Sequence, residues 1–381
     1  MKKIAVTLLL LGVMWPWSLT AQQLVEHPDK EGALSDRITW AKTTAQEQGE
    51  KSFWVAYGIS KFMRKNSWIG RIGGDDWASR KSLNELLGRE NTGESLPDAL
   101  RRNLSFTSQG VIHVGDHHEN DERYLKEIAV LVMYRSSGGR IDNPQAKDVY
   151  LTDMSLGVAF DRKPVYWLGQ STDKMSTDYL QGQFNETRSA DLRSDILGAI
   201  ASHENRRDNL DFLSGILKSD PDQDIREDAA FWIGQLDIPQ GLALLKETAA
   251  KDKSVDVREK AIFSISQMSS DEAQNTLIDF AKYEKNRDVR KQAIFWLGQQ
   301  ASSNTSDVLE EMIFDEAETE VQEHAVHALA QMPADRSIPK LIEIATNHPN
   351  LSVRKKAIFW LGDSGDPRAV DVLIELAQKS N

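Results

Sequence analysis

The 381 residues include no cysteine. That excludes disulfide frameworks, thiol catalysis, Cys-ligated zinc and a lipid anchor on an N-terminal cysteine. Positive charge is short as well: 46 Lys and Arg stand against 58 Asp and Glu, a net charge of −12. Phosphate contacts dominate nucleic-acid affinity, so no nucleic-acid partner is expected for so acidic a chain. Phosphate-binding signatures are also missing. The stretch Trp68–Ile69–Gly70–Arg71–Ile72–Gly73–Gly74 is glycine-rich. However, no Gly-Lys-Ser/Thr follows it, and the Gly-x-Gly-x-x-Gly spacing is not met. It reads as a turn or bulge beside a strand.

Long apolar runs are confined to the beginning. Met1–Lys2–Lys3 precedes apolar Ile4 to Trp15, then Pro16, Ser18, Thr20 and Ala21. A charged start, an apolar run and small residues predict a secretory signal over 1–21, cut after Ala21. Leu19, three residues before the cut, is unusual there. The competing reading is an uncleaved anchor, for which the run is short. The expectation is a periplasmic or secreted protein with no membrane span once the signal is removed.

Residues 22–170 read as a small mixed α/β domain with antiparallel strands. A helix is expected from Ser35 to Gln48, and strands at 53–60, Val111 to Val114 and Ile128 to Tyr134. Asp148 to Asp153 and Pro164 to Trp167 flank a turn at Asp161–Arg162–Lys163, and short helical turns are expected at Asn84 to Leu87 and Leu96 to Leu100. Residues 171–190 read as a linker or a first helix.

The second half carries a strict period. Arg226–Gly234 (REDAAFWIG), Arg258–Ser266 (REKAIFSIS), Arg290–Gly298 (RKQAIFWLG), Gln322–Ala330 (QEHAVHALA) and Arg354–Gly362 (RKKAIFWLG) start 32 residues apart, with no insertion. An earlier copy runs from Asp191–Leu192–Arg193 to Ala201 at a spacing of 33. A fixed period of this size marks a solenoid. Within each copy, positions such as Ile225, Ala229 and Ile233 recur at helical spacing and form one apolar stripe. A second apolar segment lies between copies, as at Leu242–Leu245 and Leu277–Phe280. Each repeat is therefore two short helices, joined by turns rich in Asp, Asn, Ser and Pro. The fold class is mainly α: a solenoid of about six two-helix repeats over 191–381, after the α/β domain.

The run Asp288–Val289–Arg290 with Ala293 and Leu297–Gly298 resembles the HEAT-repeat family in its short bacterial, phycobilisome-lyase-like form. The resemblance covers roughly residues 190–381 and implies a scaffold whose second helices line a concave binding surface. Deoxyhypusine hydroxylase-like proteins share this scaffold and hold two irons on paired His-Glu motifs. The matching pairs here are Glu227–Asp228, Glu259–Lys260, Lys291–Gln292, Glu323–His324 and Lys355–Lys356. None is His-Glu, and His203–Glu204 falls at the end of its helix, so the resemblance implies no such iron site. Bilin lyase activity is unsupported beyond the repeat itself.

Three sets of residues are candidates for function. Phe231, Phe263, Phe295, His327 and Phe359 recur on the outward side of the second helices. In register they form an aromatic row, which marks a protein or peptide partner unless another element covers it. The neighbouring Trp232, Trp296 and Trp360 alternate with Ser264 and Ala328 and are expected in the core, large against small. Arg193, Arg226, Arg258, Arg290 and Arg354 recur with an acid two residues earlier, at Asp191, Asp224, Asp256 and Asp288. They are expected to form a structural Asp–Arg ladder between repeats rather than an anion site. Finally, His113, His117 and His118 lie among Asp116, Glu119 and Asp121. These are possible metal ligands, although the spacing matches no metal motif and also describes a solvated loop.

The resulting expectation is an exported protein-interaction module, without cofactor, that binds its partner on the repeat stack. The alternative is a metal-dependent or other enzyme, a HEAT-like oxidoreductase or lyase relative, with its site in the N-terminal domain near His113–His118. A structural protein of the cell envelope is a third class.

Overall fold

The computed structural model describes residues 22–64, 67–70, 80–90, 110–113, 123–136, 143–300 and 303–379. The chain divides into two compact units, Met1–Met175 and Ser176–Asn381.

The first unit is built on a five-stranded sheet of order β1-β7-β2-β5-β6. Its strands are β1 (Leu24–Glu26), β2 (Ser52–Arg64), β5 (Arg123–Arg135), β6 (Gln145–Asp153) and β7 (Val165–Gln170). A separate antiparallel pair joins β3 (Ser67–Gly70) to β4 (Gly110–His113). The helices are α1 (Leu34–Glu47) and the short α2 (Leu83–Leu86), which carries a capping box from Ser82 and Glu85.

Strand β2 is dense in aromatic and β-branched residues, which suit a pleated surface, and from Phe53 to Ile59 it is buried on both faces. On one face, Phe53 stacks on Tyr134 at 5.4 Å and meets Tyr166 edge-on at 5.5 Å; α1 packs on β2 and β7. On the other, Trp54, Ala56, Leu131 and Trp167 join Leu83, Met154, Val158 and Phe160 in one cluster. Arg37 of α1 is buried, and its Nη1 donates to the carbonyls of Lys30, Leu168 and Gln170 at 3.1, 2.6 and 2.8 Å. Burial holds its pKa below the ordinary arginine value, opposed by Asp29. Those bonds tie the helix to the end of β7.

Two features differ from the sequence reading. Strand β7 runs parallel to both β1 and β2, while β2–β5 and β5–β6 are antiparallel. An apolar run specifies a strand but not its direction. Direction follows from the connections, and the crossover through α1 is long enough to make β1 and β2 parallel. Trp68 to Gly70 belong to strand β3, and the rest of the glycine-rich stretch, 71–74, lies outside the described residues. The turn at 161–162 does form, with Asp161 and Arg162 at φ 51° and 58°. Leu96 to Leu100, and residues 1–21, lie outside the described residues.

In the second unit, α3 (Asp173–Glu186) leads into six helix pairs. The helices that carry the repeated motif, called arginine helices here, are α4 (Ala190–Ala201), α6 (Gln223–Leu236), α8 (Val255–Ser266), α10 (Arg287–Gln300), α12 (Thr319–Ala330) and α14 (Leu351–Asp363). The connecting helices are α5 (Arg206–Ser219), α7 (Pro239–Lys251), α9 (Asp271–Tyr283), α11 (Ser303–Asp315), α13 (Ala334–Asn347) and α15 (Pro367–Lys379). Side chains of Ser189, Asn205, Asp222, Ser270 and Asn350 cap helix N-termini. The stripe is the core: Ile225, Ala229 and Ile233 are at most 1 % exposed, and Val289, Ala293 and Leu297 are fully buried. Each buried Ile, Val or Leu of the stripe contributes roughly 1.5–3 kcal/mol, and each Ala about 0.8 kcal/mol. Successive arginine helices pack directly on one another. Among the described residues, no helix is long and apolar enough to cross a membrane.

Candidate interaction surface

Each arginine helix contributes the same side chains to a repeating surface, starting with the arginine near its N-terminus. The arginines do not pair with the acid two residues earlier. Two residues along a helix are about 200° apart around its axis, so that acid faces away. Four of the five arginines instead reach the acid that ends the next connecting helix, and among the described residues Arg354 bonds only to the His348 and Pro349 carbonyls. Arg193 pairs with Asp220, Arg226 with Asp252 at 3.1 Å, Arg258 with Glu284 at 2.7 Å, and Arg290 with Glu316 at 3.4 Å.

The same acid also accepts from the backbone N–H two residues on, as in Asp222 N–H to Asp220 at 3.0 Å and Ser254 N–H to Asp252 at 2.8 Å. Behind the arginine lies its own repeat: Nη1 of Arg226, Arg290 and Arg354 donates to the carbonyls of Asp220, Glu284 and His348 at 3.0, 2.6 and 2.6 Å. Each rung thus joins the turns of two consecutive repeats. In the fifth copy the arginine is replaced by Gln322, which donates to Ile313 O and Glu316 O at 3.0 and 2.9 Å. The matching acid is replaced by buried His348, whose Nε2 donates to Ile313 O at 2.8 Å. That rung is neutral. The signal for the true partners was present in the sequence, because residues 220, 252, 284, 316 and 348 are themselves 32 apart.

The tryptophans expected in the core are half-buried. Ser264 and Ala328, at the equivalent position, are 0 % and 2 % exposed. The slot takes only small side chains because neighbouring backbones close over it. A Cβ added at Gly234 would stand 2.8 Å from Ser264, and one at Gly298 would stand 2.7 Å from the Ala328 carbonyl. The indoles come to the rim and join the phenylalanines in two runs, one over α6 to α10 and one over α12 to α14. Phe231 stacks on Phe263 at 6.1 Å with planes 5° apart, Phe263 meets Trp296 at 4.7 Å, and His327 stacks on Trp360 at 4.9 Å and 7°. Phe231, Phe263, Phe295 and His327 are half-buried, and Phe359 is 59 % exposed.

Beside this row lie the paired polar positions. Glu259 of α8, Asp288, Lys291, Gln292 and Phe295 of α10, and His324 of α12 line a cleft of about 370 Å3. Gln292 Nε2 donates to Glu259 at 3.2 Å. Lys291 is bound by Glu320, which Arg287 also holds at 2.8 Å. Burial raises the Glu259 pKa; Gln292 opposes the shift, while Asp256, Asp288 and Glu227 add to it. Asp228 is raised by burial too, against Ser194 and Lys260. Burial lowers the His324 pKa, helped by His327 and Lys291, and lowers that of His327, helped by Lys356. His324 Nδ1 and the Nε1 atoms of Trp296 and Trp360 have no hydrogen-bond partner among the described residues.

Of the candidate metal ligands, His113 ends β4 opposite Ser67. His117 and His118 lie outside the described residues. Among the described residues, no three His, Asp or Glu side chains form a group able to hold a metal ion. His203 is buried in the second unit, with Nδ1 at 2.8 Å from Ala199 O and Nε2 at 2.8 Å from Ser176 Oγ.

A family model for HEAT repeats matches residues 210–298, 275–349 and 338–381. No curated protein matches the chain in sequence. Among solved structures, the complex of CpcE and CpcF of phycocyanin lyase from Nostoc is 20 % identical, covering 40 % of this chain and 96 % of that one, with a TM-score of 0.30. Human deoxyhypusine hydroxylase in complex with glycerol is 16 % identical over 53 % of this chain and 78 % of that one, with a TM-score of 0.25. Kap121p bound to Pho4p is 17 % identical over 52 % of this chain and 22 % of that one, with a TM-score of 0.33.

Proposed function

Residues 210–381 being HEAT repeats, we propose that the protein is an exported interaction module that docks a protein segment along its arginine helices. The observation that carries this reading is the aromatic row. Phe231, Phe263 and Trp296, and then His327 and Trp360, meet ring to ring across consecutive helices while staying part-exposed. Rings aligned at a surface gain by covering, and aromatic anchors dominate binding energy at protein interfaces. The arginine helices also approach one another more closely than the connecting helices do, which favours their layer as the concave side. Export rests on Met1 to Ala21.

Affinity capture from a periplasmic extract tests the docking reading. The full mature chain and its Phe231→Ala/Phe263→Ala variant are used as baits. The variant is expected to lose the captured partner while keeping its far-ultraviolet circular dichroism. Unchanged capture would sink the reading. Export predicts that protein recovered from the periplasmic fraction begins near Gln22, and a Met1 start would contradict it.

A further inference from the structure

We infer that the cleft between α8, α10 and α12 anchors one cationic side chain, an arginine or lysine, of the docked protein segment. The inference rests on the docking reading and adds the partner's chemistry. Its walls carry two carboxylates, Glu259 and Asp288, and one cation, Lys291. That cation is turned toward Glu320, which it shares with Arg287 and which stands outside the lining. Within the lining, carboxylates outnumber cations two to one.

Like charges also crowd Glu259 from outside, since Asp256 and Glu227 act on it along with Asp288. An incoming cation relieves that repulsion, whereas an anion adds to it. Phe295 offers an aromatic face, to which cations are attracted. One repeat earlier, Lys260 Nζ already lies 5.7 Å from the Phe263 ring centre. Burial lowers the His324 pKa, helped by His327, Lys291 and Lys356 and opposed by Glu320, which disfavours a charge set against the guest. A volume of about 370 Å3 admits a long side chain with its flanking backbone. A metal ion is the competing cation, but the carboxylates and His324 do not converge as a ligand group.

The experiment is selection of a random dodecapeptide phage library on the full chain, with parallel selection on Glu259→Gln/Asp288→Asn. Both changes keep side-chain shape, and circular dichroism checks the fold. Glu259→Gln alone is the second variant if the pair does not fold. Enriched peptides are expected to share one Arg or Lys position. Their synthetic forms are expected to bind the double variant about tenfold to a hundredfold more weakly. Replacing the shared residue by norleucine should cost a similar factor on the native chain and little more on the variant. Enriched peptides without a common basic position, or a basic preference that survives in the variant, would overturn the subsite and leave the docking surface standing. No enrichment on either protein would overturn both.

Discussion

At the scale of single residues, two buried charges decide opposite things. Arg226 is 2 % exposed and bonded to both Asp252 oxygens and to Asp220 O. Arg226→Gln leaves a largely buried carboxylate without its cation, and the loss is about 3 kcal/mol. The fifth copy shows how the protein manages without the charge, by changing both partners. Arg226→Gln/Asp252→His should therefore be more stable than Arg226→Gln alone in urea titrations at pH 7; a lower midpoint would contradict the rung assignment. Asp153, at the end of β6, is the reverse case. Burial raises its pKa to about 6, against Lys126 and the Ile69 backbone, and Oδ2 has no partner among the described residues. The folded state therefore holds this proton longer than the unfolded chain does. The group's contribution to stability falls as pH rises from about 4 to about 6, then levels at a cost of about 3 kcal/mol. Asp153→Asn should raise the denaturation midpoint at pH 7 and leave it unchanged near pH 4. An equal effect at both values would rule out this account.

At the scale of elements, the same motif glycine has two different jobs. Gly298 lies against the backbone of α12, whereas a Cβ at Gly362 would meet nothing within 4 Å. Gly298→Ala should cost about 1–3 kcal/mol by overpacking. Gly362→Ala should gain up to about 1 kcal/mol from helix propensity. Thermal melts of the two variants shifting in the same direction would show that close approach is not what Gly298 serves. Neither role is legible in the motif, which reads Leu-Gly in both copies. The repeat boundaries were legible, because every copy buries the same three positions against the same neighbours. The placement of Trp296 was not. Helical angle puts it beside the stripe, whereas the slot is closed only at Ser264 and Ala328, by Gly234 and Gly298 of the preceding arginine helix, a position held by Ser266 one repeat before Trp296. In the first unit, the aromatic content of 53–60 marked β2, yet nothing local to Val165–Gln170 distinguishes a parallel partner from an antiparallel one.

At the scale of the molecule, the period made the proposed docking face legible as a set of positions, while the cleft beside it was hidden. Glu259, Asp288 and His324 are scattered through three repeats, and only the stacking of helices brings them around one cleft. The ladder has a further consequence. Four junctions are riveted by ion pairs, whereas the last has no ion pair in its rung among the described residues: it is fastened by His348 to Ile313 O, Asn350 Nδ2 to Thr319 Oγ1 at 2.8 Å, and single-charge hydrogen bonds from Ser352 to Glu323 and from Arg368 to Ala334 O. In a linear stack, each interface opens on its own account. Added salt loosens the riveted joints modestly, because their pairs are mostly buried and such pairs are screened little, and it leaves the neutral one nearly indifferent. Amide exchange in α14 and α15 should therefore change little between low and high salt, while exchange in α6 to α10 quickens; uniform acceleration would refute this. The array then behaves as a fabric with one seam sewn in a different thread, and ionic strength selects where it parts first.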